Sequence, residues 1–304
     1  MRSRLVALGL SAVLGLVFVS ICLFALLRAI PGDPARLLAG PSATGADIER
    51  IRADLGLDQP LPVQYWSWVT HVLHGDFGVS LNGREVFPQV WSAFVASASL
   101  AVVGMVAGLL IGVPAGLLAA RFGGVLERAA RGLSVVGISV PIFVTGVSLV
   151  GLFAVKLHWL PATGRDDWRS YLLPAATIGL YQAAYLAQIT RSGLKSVLEQ
   201  PFIATCKAKG ISSRAIFLRH GLPNIRLQLT TISVIQFGYL LGGAALTETV
   251  FAWPGVGRLL VSSLAARDFA MVQGAILLTA SAVLALVFIA DLAVTVLDPR
   301  VRSR

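Results

Sequence analysis

Of the 304 residues only 13% are charged, against about 25% in an average soluble chain, while 56% are hydrophobic and the mean hydropathy is +0.78. Too few polar groups remain to clothe a water-soluble fold, which excludes one. The formal net charge of +10 raises nucleic acid as a partner, but the position of the charges gives it another meaning.

Six charge-free runs, 5–27, 86–120, 132–155, 170–190, 227–247 and 269–290, each hold at least 21 residues. A helix crosses a hydrocarbon core of roughly 30 Å with about 20 apolar residues. The expected fold is therefore all-α and integral to the membrane, one domain over 1–304 with six transmembrane helices near 5–29, 94–120, 132–156, 170–190, 227–248 and 271–296. The segment Gln59–Gly75 fails the same test, because after Pro62 a helix there spans only about 18 Å. The first run reads as a retained helix. Leu5–Leu27 exceeds the usual signal-peptide core of about 7–15 residues, no small-x-small site follows, and Ile21 stands before Cys22 where a lipoprotein wants a small residue.

With six crossings both termini share one side with the loops 121–131 and 191–226. That side holds 15 Lys and Arg against three acids, Glu127, Glu199 and Asp298, whereas the other holds 10 basic residues and 11 acids. The positive-inside rule makes the first side cytoplasmic, termini included. The basicity reports topology, and nothing favours nucleic acid. Cys22 and Cys206 fall on opposite sides of the bilayer and are not expected to pair.

Outside, 31–90 reads as a compact cap with a polar helix at Asp47–Leu57 and an amphipathic one at Val63–His74, whose Tyr65, Trp66 and Trp68 suit the membrane interface. Gly75, Gly78 and Gly83 break the chain beyond His74. His71 and His74 sit three apart, but no third metal ligand stands beside them.

In the second run Gly104, Gly108, Gly112 and Gly116 recur every four residues, a small-xxx-small stripe that lets a neighbouring backbone approach closely. It serves packing within the protomer or a contact between subunits. Gly238 and Gly242 make a weaker version in the fifth. Pro114, Pro141 and Pro174 each interrupt a span and are expected to kink it. Asp291 is an acid inside the last span, near its inner end, and one such group makes a poor proton relay.

No Gly-x-x-x-x-Gly-Lys-Ser/Thr phosphate loop, Gly-x-Ser-x-Gly turn or His-Glu-x-x-His helix occurs in the sequence, so no catalytic, cofactor or metal residue is expected. The informative segment is the loop 191–226, which carries seven basic residues. Pro201 is placed to open a helix and Gly210 to close it. Ser212 or Ser213 then caps a second helix towards His220, before Pro223 and Asn224 break the chain ahead of the fifth span.

The stretch RSGLKSVLEQPFIATCKAKGISSRAIFLRHGLPN resembles the cytoplasmic loop of binding-protein-dependent ABC importer permeases, whose pattern is Glu-Ala-Ala, three residues, Gly, then eleven residues to Leu-Pro. Gly210, Leu222 and Pro223 keep that spacing. Ala204, Thr205 and Cys206 replace Glu-Ala-Ala, a departure similar to the peptide and nickel branch except for Cys206. Pro31-Gly32-Asp33-Pro34, LGLDQPLPVQYWSWV from Leu55, Gly75-Asp76-Phe77-Gly78 and TETVFAWPGVGRLLVSSLAARDF from Thr247 resemble the B-type subunit of the same branch.

The resemblance implies the type I importer permease fold in a multi-pass cell inner-membrane protein that is not itself an enzyme. It implies a homologous second permease subunit, two ATPase subunits that hold ATP and magnesium, and an extracytoplasmic substrate-binding protein, all in membrane lipid. Coupling to the ATPase would fall on Pro201, Phe202, Ile203, Ala204, Thr205, Cys206, Lys207, Ala208, Lys209 and Gly210, with Leu222 and Pro223 behind them. Phe202, Ile203 and Ala204 are expected to supply the buried contact, with Lys207 and Lys209 at its rim.

Polar residues inside spans, Gln182, Tyr185, Gln188 and Gln236, either line a path or bond between helices. Dipeptides or oligopeptides are the expected cargo, with nickel, haem and glutathione within the same class. The alternative, a stand-alone secondary transporter or channel, needs intramembrane charge that only Asp291 offers.

Overall fold

The computed structural model describes residues 2–29, 33–40 and 43–297; Pro31 and Gly32 of the first motif, and Asp298 with the basic tail behind it, lie outside these. The described chain is helical throughout, and its only strand-like pairing is a bridge between Val79 and Glu85.

The first apolar run forms α1 (Arg2–Ala29). The segment expected to form the cap then folds as α2 (Pro34–Ala39), α3 (Gly45–Asp54) and α4 (Leu61–Leu73). Thr44 and Asp47 bond each other's backbone N–H at the start of α3, which defines its first turn. Tyr65 and Trp68 pin α4 to the C-terminal half of α1: the Tyr65 hydroxyl lies 2.8 Å from Ser20 Oγ, and both rings pack on Phe24. His71 and His74 each turn Nδ1 onto a backbone carbonyl, of Ser67 and Thr70, instead of towards a shared ligand.

From Val86 to Phe122 runs α5, 37 residues and about 55 Å, longer than a hydrocarbon core needs. It continues through Pro114. The third run does not make one straight span. α6 (Gly124–Ser139) ends at Val140, and the chain turns by 95° into α7 (Ile142–Leu149), which continues as wide π-helical turns over Val150–Lys156. Pro141 explains the break. It lacks an N–H and forces the residue before it out of helical geometry, and Val140 sits at φ −74°, ψ 123°.

Pro174 falls in the first turn of α8 (Leu172–Leu198), just after a 3-10 turn over Trp168–Tyr171, and α8 runs on through it. The loop beyond α8 contains α9 (Pro201–Ala208) and α10 (Ser213–Ile216). Then α11 (Leu222–Leu241) ends at Gly242 and Gly243, ahead of α12 (Ala245–Val250), α13 (Val256–Ala265) and α14 (Phe269–Leu297). Asp291 lies two turns from the end of α14.

By length and apolarity, α1, α5 and α14 each suffice to cross a membrane, and α6 with α7 makes a fourth as a bent pair. The fourth and fifth runs, on α8 and α11, are helical but interrupted by Gln, Thr and Tyr. The most intimate packing joins α5 to α8, and it is here that the glycine stripe lies. A Cβ at Gly104 would stand 2.6 Å from Ile178, at Gly108 2.5 Å from Gln182, and at Gly112 and Gly116 2.5 Å from the carbonyl oxygens of Ala183 and Ala187. The stripe thus faces a helix of the same protomer.

Candidate functional site

The loop between α8 and α11 stands on a stiff base. Leu194 and Val197 of α8 bury against Ile225 of α11, with Leu117 and Ala120 of α5 and Phe217 around them. Glu127, at the start of α6, accepts from Arg191 at 3.0 Å and Lys195 at 2.8 Å. The Lys195 hydrogen bond, with the two cationic charges, holds the Glu127 carboxyl below the usual carboxylate range. Arg121 lies over the Phe217 ring at 5.2 Å.

On this base α9 is delimited at both ends. Gln200 is extended, and Pro201 opens the helix where a missing donor costs nothing. At the far end the Gly210 N–H donates to Lys207 O and the Ile211 N–H to Cys206 O, the paired bonds of a Schellman close. That motif needs a left-handed residue, and Gly210 has φ +74° with open space around it.

Along α9 the side chains divide unequally. Ile203 is 1% exposed, and so anchors the helix to its own protomer. Ile203 is the one buried side chain of this eight-residue helix, so the buried contact it makes here is within the protomer. Phe202 remains 37% exposed, beside His220 at 6.5 Å between ring centroids. Pro201, Ala204, Thr205, Lys207, Ala208, Lys209 and Gly210 are exposed, and Cys206 is half-buried.

Past Gly210 the Ser212 hydroxyl caps α10 by accepting the Ala215 N–H. The expected break at Pro223 and Asn224 does not occur. A π-helical turn over Phe217–Gly221 carries the chain from α10 into α11, the Leu222 N–H donating to Phe217 O, and Pro223 then falls in the first turn of α11. Leu222 and Pro223 line an apolar groove between α5 and α11, together with Arg226.

Of the polar residues within spans, Gln182 on α8 is 1% exposed and accepts a hydrogen bond from Gln236 on α11 at 2.9 Å. These two bond between helices in the conformation described. Tyr185 is half-buried and Gln188 exposed on the same helix, and neither meets that pair.

One site escapes sequence reasoning altogether. Glu248 on α12 is 1% exposed, and its carboxylate accepts from the Ser97 hydroxyl at 2.5 Å and the Arg258 N–H at 2.9 Å. Ser97 in turn accepts the Val256 N–H, and the Trp253 indole donates to Ala96 O. The segment 245–258 is so clasped to α5. A Cβ on Gly255 would stand 2.3 Å from that carboxylate, which is why glycine stands there. The available signal is a single acid at the end of an apolar run with a glycine seven residues on; as a charge at a helix end, it carries no hint of burial.

Comparison with known proteins agrees with this geometry over almost the whole chain. Residues 112–303 match the family described as binding-protein-dependent transport system inner membrane component, and residues 1–101 match its N-terminal companion. The glutathione transport system permease protein GsiC of Salmonella choleraesuis strain SC-B67 is 40% identical over 291 residues, 95% of each chain. The protein of that name from Escherichia coli K12 is 39% identical over the same extent.

Among solved structures, an inward-facing form of the MetNI methionine ABC transporter matches at TM-score 0.55 and 20% identity, covering 69% of this chain and 96% of that one. An amino acid ABC transporter with histidines matches at TM-score 0.54 and 15% identity, covering 71% and 94%. At those identities the structures testify to the fold alone. The chain belongs to the binding-protein-dependent inner-membrane permeases of ABC importers, in the peptide and nickel class.

Proposed function

We propose that this permease subunit imports short peptides, and that it is driven through α9. Together with a homologous second permease it forms the path, while two separate ATPase subunits bind ATP and magnesium and an external binding protein delivers the cargo. The chain itself hydrolyses nothing. Its six runs cross the membrane with both termini and the loop 191–226 on the cytoplasmic side.

The observation that carries this reading is the shape of the loop. A short helix with defined ends projects from a packed base, anchored by Ile203 and offering Phe202, Lys207 and Lys209 outward. The flanking helices α8 and α11 belong to the bundle, so force on α9 passes into it through covalent continuity and the base cluster. Peptide cargo rests on the likeness to permeases named for glutathione, itself a tripeptide.

The test is reconstitution with the partner permease, ATPases and binding protein, comparing Gly210→Val with the parent. Stimulation of ATPase activity by peptide-loaded binding protein should fall while membrane insertion is kept. Uptake by this chain alone under a proton gradient would overturn the reading. In a cysteine-free background, a single cysteine at 206 should label from the inside and one at 66 from the outside; the reverse would overturn the orientation.

A further inference from the structure

A cleft of about 450 Å³ opens where the outer cap meets the ends of α1 and α14. That lies within the range of small-molecule sites, roughly 300–1,000 Å³. None of Gln182, Tyr185, Gln188 and Gln236 lines it.

Its walls carry both signs of charge with bonding capacity to spare. Arg28, at the end of α1, gives Nε and one Nη to the Gln64 side-chain oxygen and stacks on the Phe24 ring at 4.3 Å, which orients the guanidinium and leaves its other Nη without a partner among the described residues. Arg267, in the turn between α13 and α14, has no side-chain partner among the described residues. Asp54, at the end of α3, has none either. Asp76 uses one oxygen on the Gly78 N–H, and the other has no partner among the described residues. His71 must carry its proton on Nδ1, since the Ser67 carbonyl opposite can only accept, so a neutral ring offers Nε2 as an acceptor. The Trp68 ring contributes apolar wall.

Two features mark these groups as placed. Arg267 has φ +58°, where a side chain is strained and glycine would be at ease. Its turn closes α13 by the Arg267 N–H to Leu264 O and the Asp268 N–H to Ser263 O, bonds that ask nothing of the guanidinium. The floor beneath is fixed: buried Asp268 accepts from the Ser80 hydroxyl, the Leu81 N–H and the Met271 N–H, tying the cap to the start of α14.

We infer that this cleft binds a zwitterion joining an ammonium to an anionic group, namely a short peptide, with its carboxylate towards Arg28 and Arg267 and its amino group towards Asp54 and Asp76. The choice of a peptide rests on the import reading above; the pairing of charges rests on the cleft alone. A phosphatidylethanolamine headgroup shares that chemistry, so the experiment separates the two sources.

The permease pair with its ATPases, without binding protein, is placed in nanodiscs of phosphatidylglycerol, and trialanine binding is measured by calorimetry. Saturable binding is expected, weakened about tenfold or more by Arg267→Gln, by Asp54→Asn, and by blocking either end of trialanine. Unfolding temperatures unchanged from the parent keep the two variants interpretable, since both side chains are exposed.

Absence of binding, or affinity unchanged in both variants, overturns the inference. So does phosphatidylethanolamine that copurifies with the parent, is lost from Arg267→Gln and leaves trialanine unbound, since the site is then a lipid site. Trialanine uptake with loaded binding protein is measured on the same samples. Uptake with unaltered variant binding sinks the cleft and spares the import reading; binding without uptake of any peptide does the reverse.

Discussion

The seam between α5 and α8 and the helix α9 both depend on glycine, for opposite reasons. Along the seam, Gly104, Gly108, Gly112 and Gly116 are needed because there is no room: the facing atoms lie where a Cβ would be. At Gly210 there is nothing but room, and glycine is needed because the backbone must turn left-handed to close α9. The seam joins two helices into one stiff unit. The loop lifts eight residues away from that unit on a single buried side chain, Ile203. On the coupling proposed above, the exposed helix is the part that would receive force and the packed seam the part that would carry it.

The sharpest way to break this contrast is at Gly112. A leucine there must displace the backbone of Ala183, so Gly112→Leu should yield no monodisperse protein on size-exclusion chromatography, and normal yields would mean that the two helices are not so close. Gly112→Ala should still fold but lose about 1–3 kcal/mol of unfolding free energy in detergent. In the loop the largest stability effect belongs to the anchor. Ile203→Ala should cost about 2 kcal/mol, whereas Phe202→Ala should change stability by no more than about 0.5 kcal/mol while reducing ATPase stimulation in the reconstituted complex. Equal effects of the two would erase the division of labour along α9.

At Gly210 itself the cost is conformational. Gly210→Ala should lose about 1 kcal/mol and Gly210→Asn less, because asparagine tolerates the left-handed region. The reverse order would mean that space, not backbone angle, decides that position. The smallest effect lies at the base. Glu127 has its carboxyl pKa lowered by Lys195 and Arg191, so its contribution is present above the ordinary glutamate range and is lost as pH falls through that range to the depressed value. Unfolding temperature measured between pH 6 and pH 3 should show this as a small difference from Glu127→Gln, which lacks the titration; coincident profiles would remove the ion pairs from the account.

Much of this is legible in the residues. Apolar runs, the glycine stripe, the cap helices and the bounds of α9 follow from rules that act within a few residues: hydrophobic length, small-residue spacing, a proline that opens and a glycine that closes. Local rules fail where a helix shifts its hydrogen-bond register or where two distant segments have to be compared. Pro223 looks like a break, but a π-helical turn upstream absorbs it. The burial of Ile203 depends on what lies beneath it, which its sequence neighbours do not show. Gln182 and Gln236, 54 positions apart, meet because α8 and α11 pack together.

By itself, then, the sequence determined that the chain lives in a membrane and which loop carries a helix with defined ends, because transfer free energy and helix termination are local sums over neighbouring residues. Only the tertiary structure decided that the glycine stripe faces α8, that Glu248 is clasped by Ser97, and that Arg28, Asp54 and Arg267 share one cleft. Burial and pairing are properties of two surfaces at once, and a linear chain shows only one of them at a time.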